Sequence, residues 1–513
     1  MEHPQLVFGE YQQPASIFGK VTLNIGFAEI VEPELEFESD GVTPIKYDLR
    51  QEDGVTEVRN QYKDGACRSF SSLAALESFY KKSTGKEIDL SENNFETRQG
   101  LVFNNKNKTD QPRSGRMRNS DFGYLISGKG PILETEDPYR PFSVEGMDIP
   151  NSIDENLYRN ALSNNGPVKA EASLRVMGFE FLKDISNATI ESPEDSNLLQ
   201  IKTAIRKHGA VSSNIYMSHD GLNRFPYQND KYFNSQTNAY FTDGKDGKYK
   251  GANHAIAIVG WDDSYSKDNF VEGNRPTIDG AWLVKDAQGK DFGDGGYFYV
   301  SFQSKDIGGE PYVFTRVEES KAFDGIYHHD EMPFSGFISS NKYADKTVLL
   351  NAYDANKGEE LKEIAFYTTK RDAEFEIYLI EDFDSFEMEA MDITDDEDYE
   401  ELLEQYKIYD NIMDKGKGHI YAGYHTISLD ELNKTVKFDS DKKFALGIWI
   451  RNKDEEDPNH QWDMVVENTS PNGSGRYGEV KEGQTFTYSF GMFVDIGKIE
   501  KINACIEGYY LKH

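Results

Sequence analysis

The sequence predicts an α+β chain in which a helical segment leads into a β-rich one and an all-β sandwich follows. Three observations carry that reading. Apolar residues recur at helical spacing early in the chain, strand-length apolar runs succeed them, and beyond about residue 320 short strands return at close intervals with turn signals between them. A chain of 513 residues exceeds one ordinary core, so two or more domains are expected. The divisions fall at an N-terminal extension over 1–44, a mixed domain over 45–318 and a β domain over 319–513.

In chain order, residues 1–44 mix short apolar runs with Pro and Glu ("IVEPELEFES") and read as extended chain, either an N-terminal extension or the remnant of a propeptide. "RSFSSLAALESFYKKSTG" sets Phe70, Leu73, Ala74 and Phe79 near one helical face, with Gly85 as a stop. "SNLLQIKTAIRKHG" is a further helix, and "HAIAIVGW", "AWLVKD" and "GYFYVSF" are strands. The last third supplies "KTVLLNAY", "LKEIAFYTT", "AEFEIYLIE", "HIYAGYHTISL", "KFALGIWIR" and "FGMFVDI", the short strands of a sandwich. The acidic run "EDFDSFEMEAMDITDDEDYEELLEQYK" interrupts them as a solvated insertion ending in a short helix. Its carboxylates invite calcium, yet no D-x-[DN]-x-[DN]-G loop is present, so no cofactor is expected, with calcium the single alternative.

Composition excludes some functions. The 90 Asp and Glu against 56 Lys and Arg give a net charge of -34, which repels phosphate backbones and rules against nucleic acid as a partner. No apolar run approaches the roughly 20 residues of a spanning helix, so no transmembrane segment is expected, and "MEHPQLVFGEYQQP" lacks the pattern of a signal peptide. Two cysteines, Cys67 and Cys505, allow neither a disulfide framework nor a thiolate zinc cluster.

Cys67 stands at the start of the first helix. A thiol attacks as thiolate, which a helix N-terminus and a neighbouring imidazolium favour. Taken alone, the position suits a nucleophile and an inert core cysteine equally. The neighbouring segments shift the balance. "QYKDGACRSF" resembles the active-site segment of the papain family, where a Gln lies six residues before the nucleophile, as Gln61 does here. "NHAIAIVGW" is similar to the family's His-bearing strand, with His254 in place. "AWLVKDAQGKDFGDGGYFYVSF" resembles, without a gap, the segment holding the orienting Asn, where this chain has Asp286.

The resemblance implies a two-lobed papain-like domain, a helical lobe plus a β-barrel lobe, and a peptide substrate. Cys67 would attack, His254 would shuttle the proton, Asp286 would orient the ring, and Gln61 would help form the oxyanion hole. Gly65 and Ala66, Arg68, Asn253 and Gln288 would line the substrate site. "RSGRMRNSDFGYLISGKGPILETEDPY" resembles the substrate-binding wall, with Gly115 and Arg116 there. Arg113, Arg116 and Arg118 form a basic island that suits either acidic side chains or a solvated loop. Three replacements bear on activity: Arg68 for an aromatic, which favours the thiolate but can obstruct the cleft; Asp286 for Asn, a workable change that favours the ion pair; and Gln288 for the Trp that shields the His hydrogen bond from water.

The C-terminal phrases "LKEIAFYTT", "AGYHTISL" and "NACIEGYY" extend the resemblance to clostridial-type cell-surface cysteine proteases with a lectin-like domain. That implies a secreted or cell-surface protein touching cell wall or carbohydrate through its C-terminal domain, where Trp449 and Trp462 either stack on sugar or pack in the core. The expected activity is that of a cysteine endopeptidase. The alternatives are a papain-like surface protein that binds or adheres without cutting, and a thiol enzyme acting on non-peptide amides.

Overall fold

The computed structural model describes residues 43–62, 65–97, 102–103, 118–139, 171–218, 231–245, 249–329, 336–338, 347–370, 372–410, 422–451, 464–468, 476–477, 480–489 and 492–513. The N-terminal extension before residue 43 therefore lies outside the described residues, as do Gly115, Arg116, Arg113 and Trp462.

Helix α1 spans Cys67–Thr84 and begins at the cysteine itself, earlier than the apolar periodicity indicates. It buries Phe70, Leu73, Leu76 and Tyr80 and stops at Gly85, whose left-handed φ of 71° returns its N–H to the Lys81 carbonyl at 2.8 Å. Lys81 and Lys82 in the last turn complement the negative end of the helix. Helices α2 (Glu92–Thr97) and α3 (Arg118–Ile126) join it to form the helical lobe, meeting through Leu73, Leu76, Phe95 and Phe122. Helix α4 (Ser196–His208) belongs to the sheet lobe and is started by the Asp195 carboxylate, which accepts from the Asn197 N–H.

The main sheet has fourteen strands among the described residues, and its nine longest are β1 (Leu174–Phe181), β2 (Val211–Ile215), β3 (His254–Asp262), β4 (Ala281–Lys285), β5 (Tyr297–Ser301), β6 (Gly309–Glu319), β7 (Glu359–Thr368), β8 (Gly423–Ser428) and β9 (Ile506–Lys512). Their order is β9-β7-β8-β1-β6-β2-β3-β4-β5. The runs that the sequence marks as strands become β3, β4, β5, β7 and β8. Strand β3 is buried along its whole length because α1 covers one face and the core around Trp261, Trp282 and Ile258 fills the other.

The main sheet does not end where the C-terminal half begins. Strand β8 pairs with β7 on one edge and with β1 on the other, where Tyr424 stands opposite Phe179 and Gly423 opposite Glu180. Only glycine fits at 423, since a Cβ there would lie 2.0 Å from the Phe179 carbonyl oxygen. Below this junction one apolar cluster takes in Phe122, Phe179 and Tyr312 together with Tyr367, Tyr424 and Tyr509. Cys505 is buried in the same cluster, as its apolar neighbours imply.

The C-terminal half also holds a second sheet of six strands, in the order 407–410, 374–380, 442–451, 349–355, 485–489 and 492–495, and a three-stranded sheet of 336–338, 464–468 and 502–504. The acidic insertion is more ordered than its composition suggests. It folds as two helices, Phe383–Asp392 and Asp396–Glu404, capped by the side chains of Asp382 and Asp395. Phe383, Phe386, Tyr399 and Leu402 recur at helical intervals and seal one face against the second sheet, leaving the carboxylates outward. Trp449 packs in that cluster and is 6% exposed, so of its two expected roles it takes the core one. Among the described residues no helix is long and apolar enough to cross a membrane, and no three His, Cys, Asp or Glu side chains are grouped to hold a metal ion.

Candidate active site

Cys67 is the first residue of α1, so its backbone N–H has no intrahelical acceptor; the first bond of the helix runs from the Phe70 N–H to the Ala66 carbonyl. Ala66 is fully buried between Phe70, Ala287 and Tyr139, which fixes the entry of the chain, and Gly65 is exposed. His254 opens β3 from the opposite side, paired with Ile215 of β2. Asp286 follows the last residue of β4, and its N–H donates to the Gly296 carbonyl at 3.0 Å. Three sequentially remote segments thus converge on one point.

The Asp286 carboxylate is enclosed by donors. Oδ1 accepts from His254 Nε2 at 2.8 Å and from the Ala287 N–H at 2.7 Å, while Oδ2 accepts from the Gln288 side-chain amide at 2.5 Å. Both the His254 and the Asp286 side chains are 0% exposed. With Nε2 engaged by Asp286, Nδ1 is the nitrogen left for the thiol. Burial alone would strip the proton from the ring, but the charge and hydrogen bond of Asp286, followed by the hydrogen bond and charge of Cys67, outweigh it and push the His254 pKa up to about 10. The imidazole is therefore an imidazolium at neutral pH, the partner a thiolate requires.

Gln61 sits beside this pair because residues 59–61 add an edge to the Asp286 loop. The Gln61 N–H donates to the Ala287 carbonyl at 2.7 Å, the Gly289 N–H donates to the Arg59 carbonyl at 3.0 Å, and Asn60 bridges to Gln288. Gly289 has φ 84°, and a Cβ there would meet the Asn60 side chain at 2.7 Å, so the close approach requires glycine. Tyr139 adds a hydroxyl bond to the Gln61 carbonyl at 3.1 Å. Its place was not legible beforehand, since only the fold brings it there.

Two expectations about the replacements are corrected. Arg68 does not obstruct the cleft. Its guanidinium turns into the interface between the lobes, toward Asp121 at 3.3 Å, Glu310 at 3.3 Å and the Asn214 side-chain oxygen at 3.2 Å. Nor does Gln288 admit water to the orienting bond: it is itself buried and donates to the carboxylate it was expected to expose. Asn253 is exposed, but its amide is spent on both backbone groups of Met217, at 2.8 and 2.9 Å, which holds the end of β2 against the start of β3.

Sequence reasoning also missed a buried charge group behind the site. Lys285 Nζ donates to the Thr56 hydroxyl at 3.0 Å, and that hydroxyl donates to Glu77 of α1 at 2.5 Å. Glu77, Glu92, Arg59, Lys285 and Ala287 line a cavity of about 20 Å³ there, room for one water. The sole signal was a lysine preceding Asp286 in a strand with no other charge.

Over residues 43–315, more than half of the chain, the sequence matches the papain family of cysteine proteases. The chain belongs to that family. Residues 326–510 match a lectin-like domain. Among relatives of the papain-family part, cathepsin J of Rattus norvegicus is 26% identical over 274 residues, 53% of this chain and 65% of its own. Cathepsin S of Bos taurus is 27% identical over 261 residues, 51% of this chain and 61% of its own. The papain-family chain thus spans a little under two thirds of the length of these relatives. Its fold is similar to the crystal structure of the cysteine protease and lectin-like domains of Cwp84, a surface layer associated protein of Clostridium difficile, with TM-score 0.65 and 21% identity over 92% of this chain and 89% of that one. A structure of Cwp84 after propeptide cleavage matches with the same TM-score at 22% identity, over 91% and 99%.

Proposed function

We propose that this papain-family chain is a cysteine endopeptidase. Cys67 attacks the scissile carbonyl as thiolate, and His254 holds that thiolate as an ion pair and then protonates the leaving amine. Asp286 keeps the ring in register, while the Gln61 side-chain amide and the Cys67 N–H, which has no acceptor within its helix, donate to the oxyanion. One observation carries the reading: a fully buried carboxylate and imidazole pair, whose protonated ring is favoured in part by a cysteine at the first position of a helix. The rival reading, a binding protein without turnover, rests on Arg68, Gln288 and Asp286; against it, Arg68 and Gln288 are turned to other partners, and Asp286 bonds the His254 ring. Work at a bacterial cell surface is supported by the fold likeness to a surface layer associated protein, and contact with cell wall or carbohydrate by the lectin-like match.

Iodoacetamide in mildly acidic buffer, read by intact mass, tests the assignment. Fast single labelling at Cys67 is expected, with buried Cys505 spared, and His254→Ala should slow it by about tenfold or more, since an isolated thiol is scarcely ionised there. Equally slow labelling of both proteins would overturn the assignment.

A further inference from the structure

Resting on the Cys67 and His254 reading, we propose that Arg68 is a positioning residue, whose guanidinium sets the helix that carries the nucleophile against the strand beside the imidazole. The guanidinium joins both lobes. Nε donates to Asp121 of α3 in the helical lobe at 3.3 Å. Nη1 donates to Asn214 of β2 at 3.2 Å and to Glu310 of β6 at 3.3 Å, and Nη2 reaches the same Glu310 oxygen at 3.4 Å. Asn214 immediately precedes Ile215, the residue paired with His254. One side chain therefore spans from the neighbour of Cys67 to the neighbour of the His254 partner.

The far end of the clamp is itself held. Asn214 donates to the same Glu310 oxygen at 2.8 Å, and the Glu310 N–H donates to the Asp184 carboxylate at 2.9 Å. Glu310 has a φ of 44°, the left-handed region that an L-residue enters only when its surroundings impose it. The other contacts of this face of α1 with the sheet lobe are neutral: Ser71 meets the Ser212 hydroxyl at 2.7 Å and the Ile256 carbonyl at 2.6 Å, and Ser72 meets the Tyr312 hydroxyl at 2.5 Å. Without Arg68, Asp121, whose side chain is 2% exposed, and Glu310 would lose the guanidinium that links them. The first turn of α1, and with it the sulfur, would shift relative to His254. Displacements of about 1 Å at a reacting centre cost up to about 100-fold in rate.

The test compares Arg68→Met, Arg68→Lys and the double variant Arg68→Met with Glu310→Gln, scoring peptide hydrolysis and the alkylation rate of Cys67. Arg68→Met should lower kcat about tenfold or more with KM within about twofold, and alkylation should slow in parallel. Arg68→Lys should keep more of the rate by retaining the charge, and Glu310→Gln should restore part of what Arg68→Met lost. An unchanged kcat with a lower melting temperature would make Arg68 a scaffold residue only. A raised KM at unchanged kcat would make it a substrate contact, and either result overturns the proposal. If Arg68→Met does not fold, Asn214→Ala and Glu310→Gln read the same kcat and KM split. A wild-type protein that cleaves no peptide defeats the peptidase reading instead, and the alkylation rates of the variants still decide the positioning role.

Discussion

Replacing Asp286 with Leu is expected to lower kcat on the order of 10,000-fold, as loss of the orienting carboxylate does in analogous triads. The change removes the acceptor for three donors at once, His254 Nε2, the Ala287 N–H and the Gln288 amide, in a place with no solvent to replace it. Asp286→Asn separates charge from orientation. It retains an acceptor for the ring but not the negative charge, so burial of the imidazolium is no longer offset. Peptide hydrolysis by the wild type should decline only as pH rises toward about 10, where His254 loses its proton. In the Asn variant that alkaline limb should move toward neutrality; an unmoved limb would show that Asp286 does not charge the ring. Stability carries the same sign. A histidine whose pKa is raised in the fold contributes fully below its unfolded value near 6.5 and loses that contribution as pH climbs to about 10. Wild-type unfolding midpoints should therefore fall across that window more steeply than those of the Asn variant.

The second large effect concerns Lys285. Lys285→Met should destabilise the protein by about 3–5 kcal/mol in urea unfolding at neutral pH, the usual consequence of removing one member of a buried ion group. Lys285 is 7% exposed and faces Glu77 and Glu92, at 6% and 4%. Burial raises the pKa of both carboxyls, and Lys285 opposes the rise at Glu77. Without the ammonium those carboxyls resist ionisation further. Their ionisation is what folding then opposes, so the deficit should shrink as pH falls toward the ordinary carboxylate range and grow above it. A pH-independent deficit would assign the loss to packing. Because Lys285 adjoins Asp286 and Glu77 lies on α1, the variant should also slow alkylation of Cys67.

Much of this was legible because it is local. The helix that starts at Cys67, the strand that starts at His254 and the Asp286 turn each lie within one short segment whose spacing is intact, and the roles expected of them come from the resemblance to the papain family. The sandwich strands were legible for the same reason, since period-two patterns and turn residues are properties of neighbours. What escaped were side-chain destinations. Arg68 beside a nucleophile looks obstructive until Asp121 and Glu310, which come from distant segments, are brought beneath it. Gln288 looks like a leak until the turn folds its amide onto Asp286. The acidic insertion looked solvated because its charge masked Phe383, Phe386, Tyr399 and Leu402 at helical spacing. Gly115 and Arg116 of the expected substrate wall lie outside the described residues.

The strand at Gly423–Ser428, hydrogen-bonded to both halves of the molecule, has a mechanical consequence. A joint stitched by a backbone ladder and a common aromatic floor cannot swivel as a flexible tether would. Whatever the C-terminal half grips, the thiol is carried at one set angle to it. In the peptidase proposed above, a peptide held by that half would meet the thiol at a set distance from its anchoring point, in addition to the limits the cleft imposes.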